Sequence, residues 1–80
     1  MKKIRIRYYA ILREQAGKSE ETLETQAATP AALLAELQKR YPFTLNETQL
    51  KVAIDAEFRD WQTPLKDGDS VVFIPPVAGG

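Results

Sequence analysis

Apolar and polar residues alternate along several short segments of the chain. From Lys3 to Tyr8, every second residue is apolar and the residues between are basic. This two-residue period predicts a strand with one buried face. Leu50 to Ile54 alternates in the same way, and Ser70 to Ile74 is predicted to form the last strand. Weaker patterns predict short strands from Ser19 to Gln26, whose glutamates suit a solvated edge, and from Phe58 to Trp61.

A longer segment has helical spacing instead. Thr29 is suited to cap a helix, and Pro30 fits the first turn, where its missing amide hydrogen costs nothing. The following apolar residues lie on one stripe at helical spacing: Leu33, Leu34, Leu37 and Tyr41. Pro42 disfavours helix at the residue before it, so the helix should end near Tyr41. A shorter helix is predicted over residues 10–16, ending at Gly17 in a left-handed conformation.

The order of these elements predicts an α+β fold, with a mixed sheet wrapped around one long helix plus a short helix. A crossover through the long helix would make its two flanking strands parallel only if they are direct neighbours. The final strand is apolar on both faces, from Val71 to Ile74, although only one long helix exists to cover the sheet. Either loops bury both faces, or one face stays uncovered as a docking surface. We expect the second arrangement.

Composition narrows the possible chemistry. The 80 residues contain 11 Lys+Arg and 11 Asp+Glu, which predicts one small, formally neutral domain without the positive charge expected of a nucleic-acid-binding protein. The absence of cysteine and histidine removes thiolate nucleophiles, disulfides, the commonest metal ligand and the usual general base. No apolar run approaches the ~20 residues of a membrane span, and no signal peptide is recognisable. We therefore expect a cytoplasmic protein with no metal, nucleic-acid or membrane partner.

The charged residues do not form a recognisable catalytic set. The segment Asp67-Gly68-Asp69 is expected to form a turn rather than a calcium loop, because the further oxygen ligands of such a loop are missing. The basic stripe of the first strand (Lys3, Arg5 and Arg7) is interpreted as a solvated face, with docking against an acidic partner as the alternative. Any chemistry must then be supplied by a partner or carried on the backbone.

The C-terminus offers such a backbone group. Pro75 and Pro76 favour a stiff, extended exit from the last strand, and the chain ends in Gly79-Gly80. Residues without side chains can enter a channel barely wider than a peptide backbone. The terminal carboxylate is ionised at neutral pH, with an ordinary pKa of about 3.5, and is a poor electrophile. It needs activation, for example as an acyl-adenylate, before sulfur or an amine can attack it.

Three segments resemble the sulfur-carrier (MoaD-like) family of ubiquitin-like proteins, the family of molybdopterin synthase small subunits. The most specific similarity lies in residues 64–71 and 73–80, and the segment from Tyr8 to Glu14 with Gly17 is similar to the family's aromatic-alanine…Arg-Glu…Gly pattern. Asp55 stands where the family usually has asparagine.

The resemblance implies a ubiquitin-like β-grasp domain over residues 1–76 and a flexible tail over residues 77–80. It implies that an activating enzyme uses ATP to adenylate Gly80 and that sulfur then replaces one terminal oxygen to give a thiocarboxylate. The tail would enter the large subunit of molybdopterin synthase, in a heterotetramer, and donate sulfur to the cyclic pyranopterin precursor of molybdopterin. The chain would be a sulfur-donor subunit that binds no cofactor and has no active site of its own.

The same resemblance implies which residues meet the partners. Gly80 is the modified residue, Ile74 is a bulky apolar docking residue, and Arg13 anchors the tail or a partner. The remaining partner-binding positions are those of the exit and tail: Pro75, Pro76, Val77, Ala78 and Gly79.

Three other functions remain open at this point. A ubiquitin-like modifier would use the same activated Gly80 to form isopeptide bonds with lysines. A thiazole-pathway sulfur carrier is disfavoured, because such proteins usually lack the Pro75-Pro76 exit. A simple interaction domain would not need Gly79-Gly80 at all.

Overall fold

The computed structural model describes residues 1–76, and every predicted helix and strand is present in it. The elements in chain order are β1 (Lys2–Tyr8), α1 (Ala10–Ala16), β2 (Glu20–Thr25), α2 (Pro30–Arg40), β3 (Lys51–Ile54), β4 (Glu57–Arg59) and β5 (Ser70–Ile74). The bounds differ from the predicted ones by at most two residues. The largest difference is in β4, which ends before Trp61.

The five strands form one mixed sheet in the order β2-β1-β5-β3-β4. The first and last strands of the chain, β1 and β5, lie side by side and parallel, while every other pair is antiparallel. The strands flanking α2 in sequence, β2 and β3, are not neighbours and therefore do not form a parallel pair. As predicted, β2 is an edge strand.

Local sequence explains where α2 begins and ends. The Thr29 hydroxyl accepts a hydrogen bond from the Ala32 backbone N–H at 3.2 Å, and Pro30 occupies the first turn. Tyr41 has left the helical conformation, with a φ of −126°, as expected for a residue before proline. Gly17 ends α1 with a φ of 76°, in the predicted left-handed region.

One hydrophobic cluster fills the space between α2 and the sheet. Its members come from both helices, four strands and two loops: Ile4, Ile6, Tyr8, Leu12, Ala16, Leu23, Leu33, Leu34, Leu37, Leu50, Val52, Ile54, Leu65, Val71 and Phe73. Leu65 and Thr25 are among the buried residues that were not predicted from the sequence. Leu65 lies in a loop, and the Thr25 hydroxyl donates to Glu36 Oε1 and accepts from the Ala27 N–H, both at 3.0 Å.

Within residues 1–76, no helix combines the length and the apolar character needed to cross a bilayer.

Candidate functional site

The face of β5 that points away from α2 is not covered by any element of residues 1–76. Along β5, Val71 and Phe73 are fully buried, whereas Val72 and Ile74 are only half-buried. The prediction of an uncovered apolar face is therefore confirmed, and the alternative in which loops bury both faces is wrong. The cause is that α2 and the loops pack on one side of the sheet only.

Cross-strand register aligns apolar side chains on this uncovered face. Val72 lies between Arg7 on β1 and Ala53 on β3, and Ala53 pairs in turn with Phe58 on β4. Residues paired across neighbouring strands project from the same face of a sheet. The Phe58 side chain is 70% exposed, so it contributes most of its surface to this row rather than to the core.

Two further apolar residues extend the row toward the end of β5. Ile74 follows Val72 on the same face, and Tyr9, directly after β1, is 43% exposed. Together these residues line a shallow groove of about 540 Å³, which we call the open-face groove. Its lining residues are Arg5, Arg7, Tyr9, Ala53, Asp55, Ala56, Phe58, Ser70, Val71, Val72 and Ile74.

The charges of the groove are unevenly distributed. Arg7 pairs with Glu20 across the β1–β2 ladder at 3.4 Å, and both side chains are about half exposed. Tyr9 and Glu20 beside Arg7 raise the pKa of its guanidinium, so it stays cationic. Arg5 faces Thr22 and Ser70 instead, and makes no ion pair within residues 1–76. The outward basic stripe thus borders an apolar surface.

The β3–β4 hairpin forms the opposite border of the groove. Asp55 and Ala56 have φ values of 51° and 70°, as in the two-residue turns that suit twisted hairpins. The Asp55 carboxylate accepts a hydrogen bond from the Ser70 backbone N–H at 3.0 Å, and the Asp55 N–H donates to the Ser70 carbonyl at 2.8 Å. Asparagine and aspartate both tolerate this left-handed conformation. Asp55 therefore has a structural use in this hairpin.

The chain leaves the sheet at one end of the open-face groove. Ile74 is the last residue of β5, Pro75 is half-buried and Pro76 is exposed. Because β5 runs parallel to β1 and Phe73 pairs with Tyr8, this exit lies at the end of the sheet where α1 begins. The predicted tail residues Val77, Ala78, Gly79 and Gly80 lie outside the described residues.

Arg13 is on α1 at this end of the sheet. Its side chain is exposed and lines a smaller cavity of about 260 Å³ with Arg7, Tyr8, Tyr9, Ser19 and Glu20. Arg13 and Ile74 thus lie toward the same end of the sheet, although Arg13 does not line the open-face groove. Their roles in partner binding stay predictions.

A carboxylate behind this end of the sheet holds β1, β2 and the end of α2 together. Glu21 accepts hydrogen bonds from the hydroxyls of Tyr8 and Tyr41, the latter at 2.8 Å, and lies 3.6 Å from the Lys18 ammonium. Burial alone would raise the pKa of Glu21, but these hydroxyls and the nearby cations lower it. Burial and the Glu21 carboxylate together raise the pKa of the Tyr8 phenol well above its ordinary value. The carboxylate is therefore structural.

The acidic loop before β5 is a turn, as predicted. Asp67 accepts from the Lys3 N–H at 2.7 Å, Asp69 accepts from the Lys66 N–H at 2.8 Å, and Gly68 has a φ of 90°. Both carboxylates are thus used to satisfy backbone donors. Residues 1–76 contain no group of three acidic side chains placed to hold a metal ion.

Several groove residues were not assigned to a site from the sequence, and the two large ones are Phe58 and Tyr9. Phe58 is predicted only to begin a short strand, and Tyr9 is named only within the segment that resembles the sulfur-carrier family. The sequence does contain a sign of the role of Phe58, because this aromatic residue stands between the charged residues Glu57 and Arg59 in a short edge strand. A large apolar side chain flanked by charges on a short edge strand has no core to enter.

Comparison of the sequence with known proteins shows the family of this chain. Residues 6–80 match the model of the ThiS family. The chain belongs to that family. The chain is 35% identical to the molybdopterin synthase sulfur carrier subunit of Mycobacterium tuberculosis, over all of both chains. It is 31% identical to the protein of that name from Escherichia coli, over 96% of this chain and 99% of the relative.

Solved structures of ThiS-like proteins support the ubiquitin-like β-grasp fold. A putative molybdopterin converting factor subunit 1 from Pyrococcus furiosus superposes with a TM-score of 0.81 at 31% identity, over 96% of this chain and all of that one. The small archaeal modifier protein 1 of Methanosarcina acetivorans gives 0.78 at 25% identity, over 100% and 98% of the two chains. A complex of subunits 1 and 2 of the Helicobacter pylori molybdopterin-converting factor gives 0.70 at 24% identity, over 98% and 99%, and supports the fold alone.

Proposed function

We propose that this chain is the sulfur-carrier subunit of a molybdopterin synthase. The proposal rests on one observation: relatives named as that subunit match this chain over 99–100% of their own length, and the chain ends in Gly79-Gly80. Gly80 is the residue that carries the sulfur. The partners are an activating enzyme and the large subunit of the synthase, and the compartment is the cytoplasm.

The chemistry takes place on the terminal carboxylate. An ionised carboxylate is a poor electrophile, so it first attacks the α-phosphorus of ATP in the activating enzyme, and pyrophosphate leaves. Sulfur at the level of hydrosulfide then attacks the carbonyl carbon of the acyl-adenylate, and AMP leaves with the displaced oxygen to give the thiocarboxylate. The thiocarboxylate sulfur attacks a carbon of the pterin precursor in the large subunit, and water then cleaves the bond between the acyl carbon and sulfur and regenerates the Gly80 carboxylate. ATP and the pterin bind to the partners, and this chain needs no cofactor.

The described part of the fold supports this division of labour. The open-face groove ends where Ile74 passes into Pro75 and Pro76, so a partner seated on the groove lies next to the start of the tail. Prolines fix φ and keep the exit extended. The groove then supplies the binding to a partner, and Gly80 carries the chemistry at a different place in the chain. A carrier that binds two partners in turn needs this separation.

The test is the intact mass of the chain after incubation with its native activating enzyme, ATP and a sulfur source. The expected result is a mass increase equal to one oxygen replaced by sulfur, localised to the peptide that ends in Gly80. The matched control is the chain lacking Gly80, which should gain no sulfur. Its stability should stay within about 0.5 kcal/mol of the wild type, as for changes away from a core.

Two outcomes would contradict the proposal. Higher-mass species joined through Gly80 to lysine side chains, without a thiocarboxylate, would identify a protein modifier. An unmodified terminus under conditions in which the activating enzyme is active would leave only an interaction domain.

A further inference from the structure

Among the charged residues of the open-face groove, Arg5 has the fewest oppositely charged or hydrogen-bonding partners in its own chain. The three outward basic residues of β1 are Lys3, Arg5 and Arg7, and each pairs in register with one residue of β2. Lys3 faces Glu24 and Arg7 faces Glu20, whereas Arg5 faces the neutral Thr22. On its other side Arg5 faces Ser70. Within residues 1–76, its guanidinium makes no ion pair or side-chain hydrogen bond.

The carboxylate in the groove, that of Asp55, is too far away to form an ion pair with Arg5. Asp55 lies across β5 from Arg5, two strand spacings away, or about 10 Å between backbones. Its Oδ1 atom is held by the Ser70 backbone N–H at 3.0 Å, which fixes the carboxylate at the hairpin. The groove therefore has an uncompensated cation on its β1 side and a carboxylate on its hairpin side, with Ser70 between them and with Val72 and Ala53 in the neighbouring cross-strand row.

A protein that covers this groove removes water from Arg5. Taking a guanidinium out of water is costly unless a carboxylate and its hydrogen bonds replace the lost hydration. The planar guanidinium can satisfy a carboxylate with two parallel hydrogen bonds, which also fixes the direction of approach. Apolar side chains over Val72 and Phe58 would supply contact area but no such direction.

We propose that Arg5 is a specificity-determining residue that receives an aspartate or glutamate from the large subunit of the synthase. This inference rests on the proposed function, because it takes the large subunit as the occupant of the groove. The acidic side chain lies over β1 and the apolar side chains lie over Val72 and Phe58. The polarity of the groove, cationic at Arg5 and anionic at Asp55, then permits one orientation of the partner.

The test measures the affinity of the full chain for the purified large subunit by calorimetry, at low and at high salt. Arg5→Glu should weaken binding by about 30-fold or more, the range seen when one member of a covered charge pair is lost. Arg5→Gln should be intermediate and should reduce the salt dependence. Arg5→Lys keeps the charge but loses the paired hydrogen bonds, so its affinity should lie between those of Arg5→Gln and the wild type. Lys39→Glu, an equal charge change on the exposed side of α2, is the matched control and should change affinity by less than about threefold.

A second measurement identifies the acid on the partner. Each surface aspartate and glutamate of the large subunit is changed to arginine and combined with Arg5→Glu, and one reversal should restore tight binding. Equal affinity of the wild type and Arg5→Glu would overturn the inference, as would an equal loss in Lys39→Glu. Failure of the wild-type chain to bind the large subunit would instead overturn the proposed function, so the two failures can be told apart.

Discussion

Phe58 offers the sharpest test of whether the open-face groove is a docking surface. In the isolated chain its side chain is 70% exposed and takes no part in the hydrophobic cluster. Replacing it with alanine should therefore leave stability within about 0.5 kcal/mol of the wild type. If a partner covers the groove, the same substitution should weaken binding strongly. A core residue cannot show this separation, since its truncation lowers stability first.

The size of the binding loss can be worked out from exposure. A buried phenylalanine contributes roughly 200 Å² of surface. With 70% of that surface available to a partner, about 140 Å² is newly buried on docking, worth about 3.5 kcal/mol at about 25 cal/mol per Å². This is an upper limit, because ordering the side chain at the interface costs about 1 kcal/mol. We therefore expect Phe58→Ala to lose about 2.5 kcal/mol, or about 70-fold in affinity.

The assay combines thermal unfolding of the free chain with titration against the large subunit. Phe43→Ala is the matched control, because Phe43 packs against Tyr8 and Tyr41 at ring-centroid distances of 5.8 and 5.4 Å on the opposite face of the sheet. It should cost about 2 kcal/mol of stability, but the fraction that stays folded should bind normally. Unchanged affinity in Phe58→Ala would refute the assignment of the open-face groove as the docking surface.

Three further predictions concern the groove and its support. Ile74→Glu should weaken binding to the large subunit by more than about tenfold, because its charge would be desolvated in an apolar interface, and calorimetry that finds normal affinity would contradict this. Tyr8→Phe should cost about 2 kcal/mol at pH 7 in chemical denaturation, since it removes a hydrogen bond to the charged Glu21. The fold lowers the pKa of Glu21, so its carboxylate stabilises the protein above the unfolded pKa of about 4.3, and this contribution is lost as the pH falls below that value. The loss of stability caused by Tyr8→Phe should therefore become smaller below about pH 4. A loss that does not change with pH would show that Glu21 is not the cause. Ala56→Gly should raise stability by about 0.5–1 kcal/mol. Ala56 has a φ of 70°, and glycine removes this strain, which outweighs the larger backbone entropy that glycine loses on folding. A lower melting temperature of the variant would show that the turn is not strained.

Much of the local structure could be predicted because it depends on neighbours in sequence. The alternation from Lys3 to Tyr8 determines which side chains of β1 share a face, whatever strand lies beside it. Thr29 caps α2 through a bond to Ala32, only three residues away. The prolines at the C-terminus favour an extended exit, and the glycines lack side chains, so these residues by themselves indicate a narrow tail that presents the terminal carboxylate. The predicted roles of the tail residues stay predictions, since residues 77–80 lie outside the described part of the chain.

The composition of the groove could not be predicted in the same way. A two-residue period shows which residues of one strand share a face, but it does not show which strands are neighbours. Arg7 meets Val72 only because β1 and β5 pair in parallel across most of the chain, and Phe58 joins them through β3. The two strands that flank α2 turned out not to be adjacent, and the sequence had left this pairing open.

The sequence by itself determined the helices, the strands, the edge position of β2 and the uncovered face of β5, and the backbone chemistry at Gly80 stays a prediction from it. Only the tertiary structure decided that Phe58 and Arg5 belong to one groove and that Arg5, unlike its neighbours on β1, lacks a carboxylate across the ladder. The physical reason is the range of the forces involved. Propensity, capping and periodicity act over a few residues, whereas burial and charge compensation depend on contacts between segments far apart in the chain.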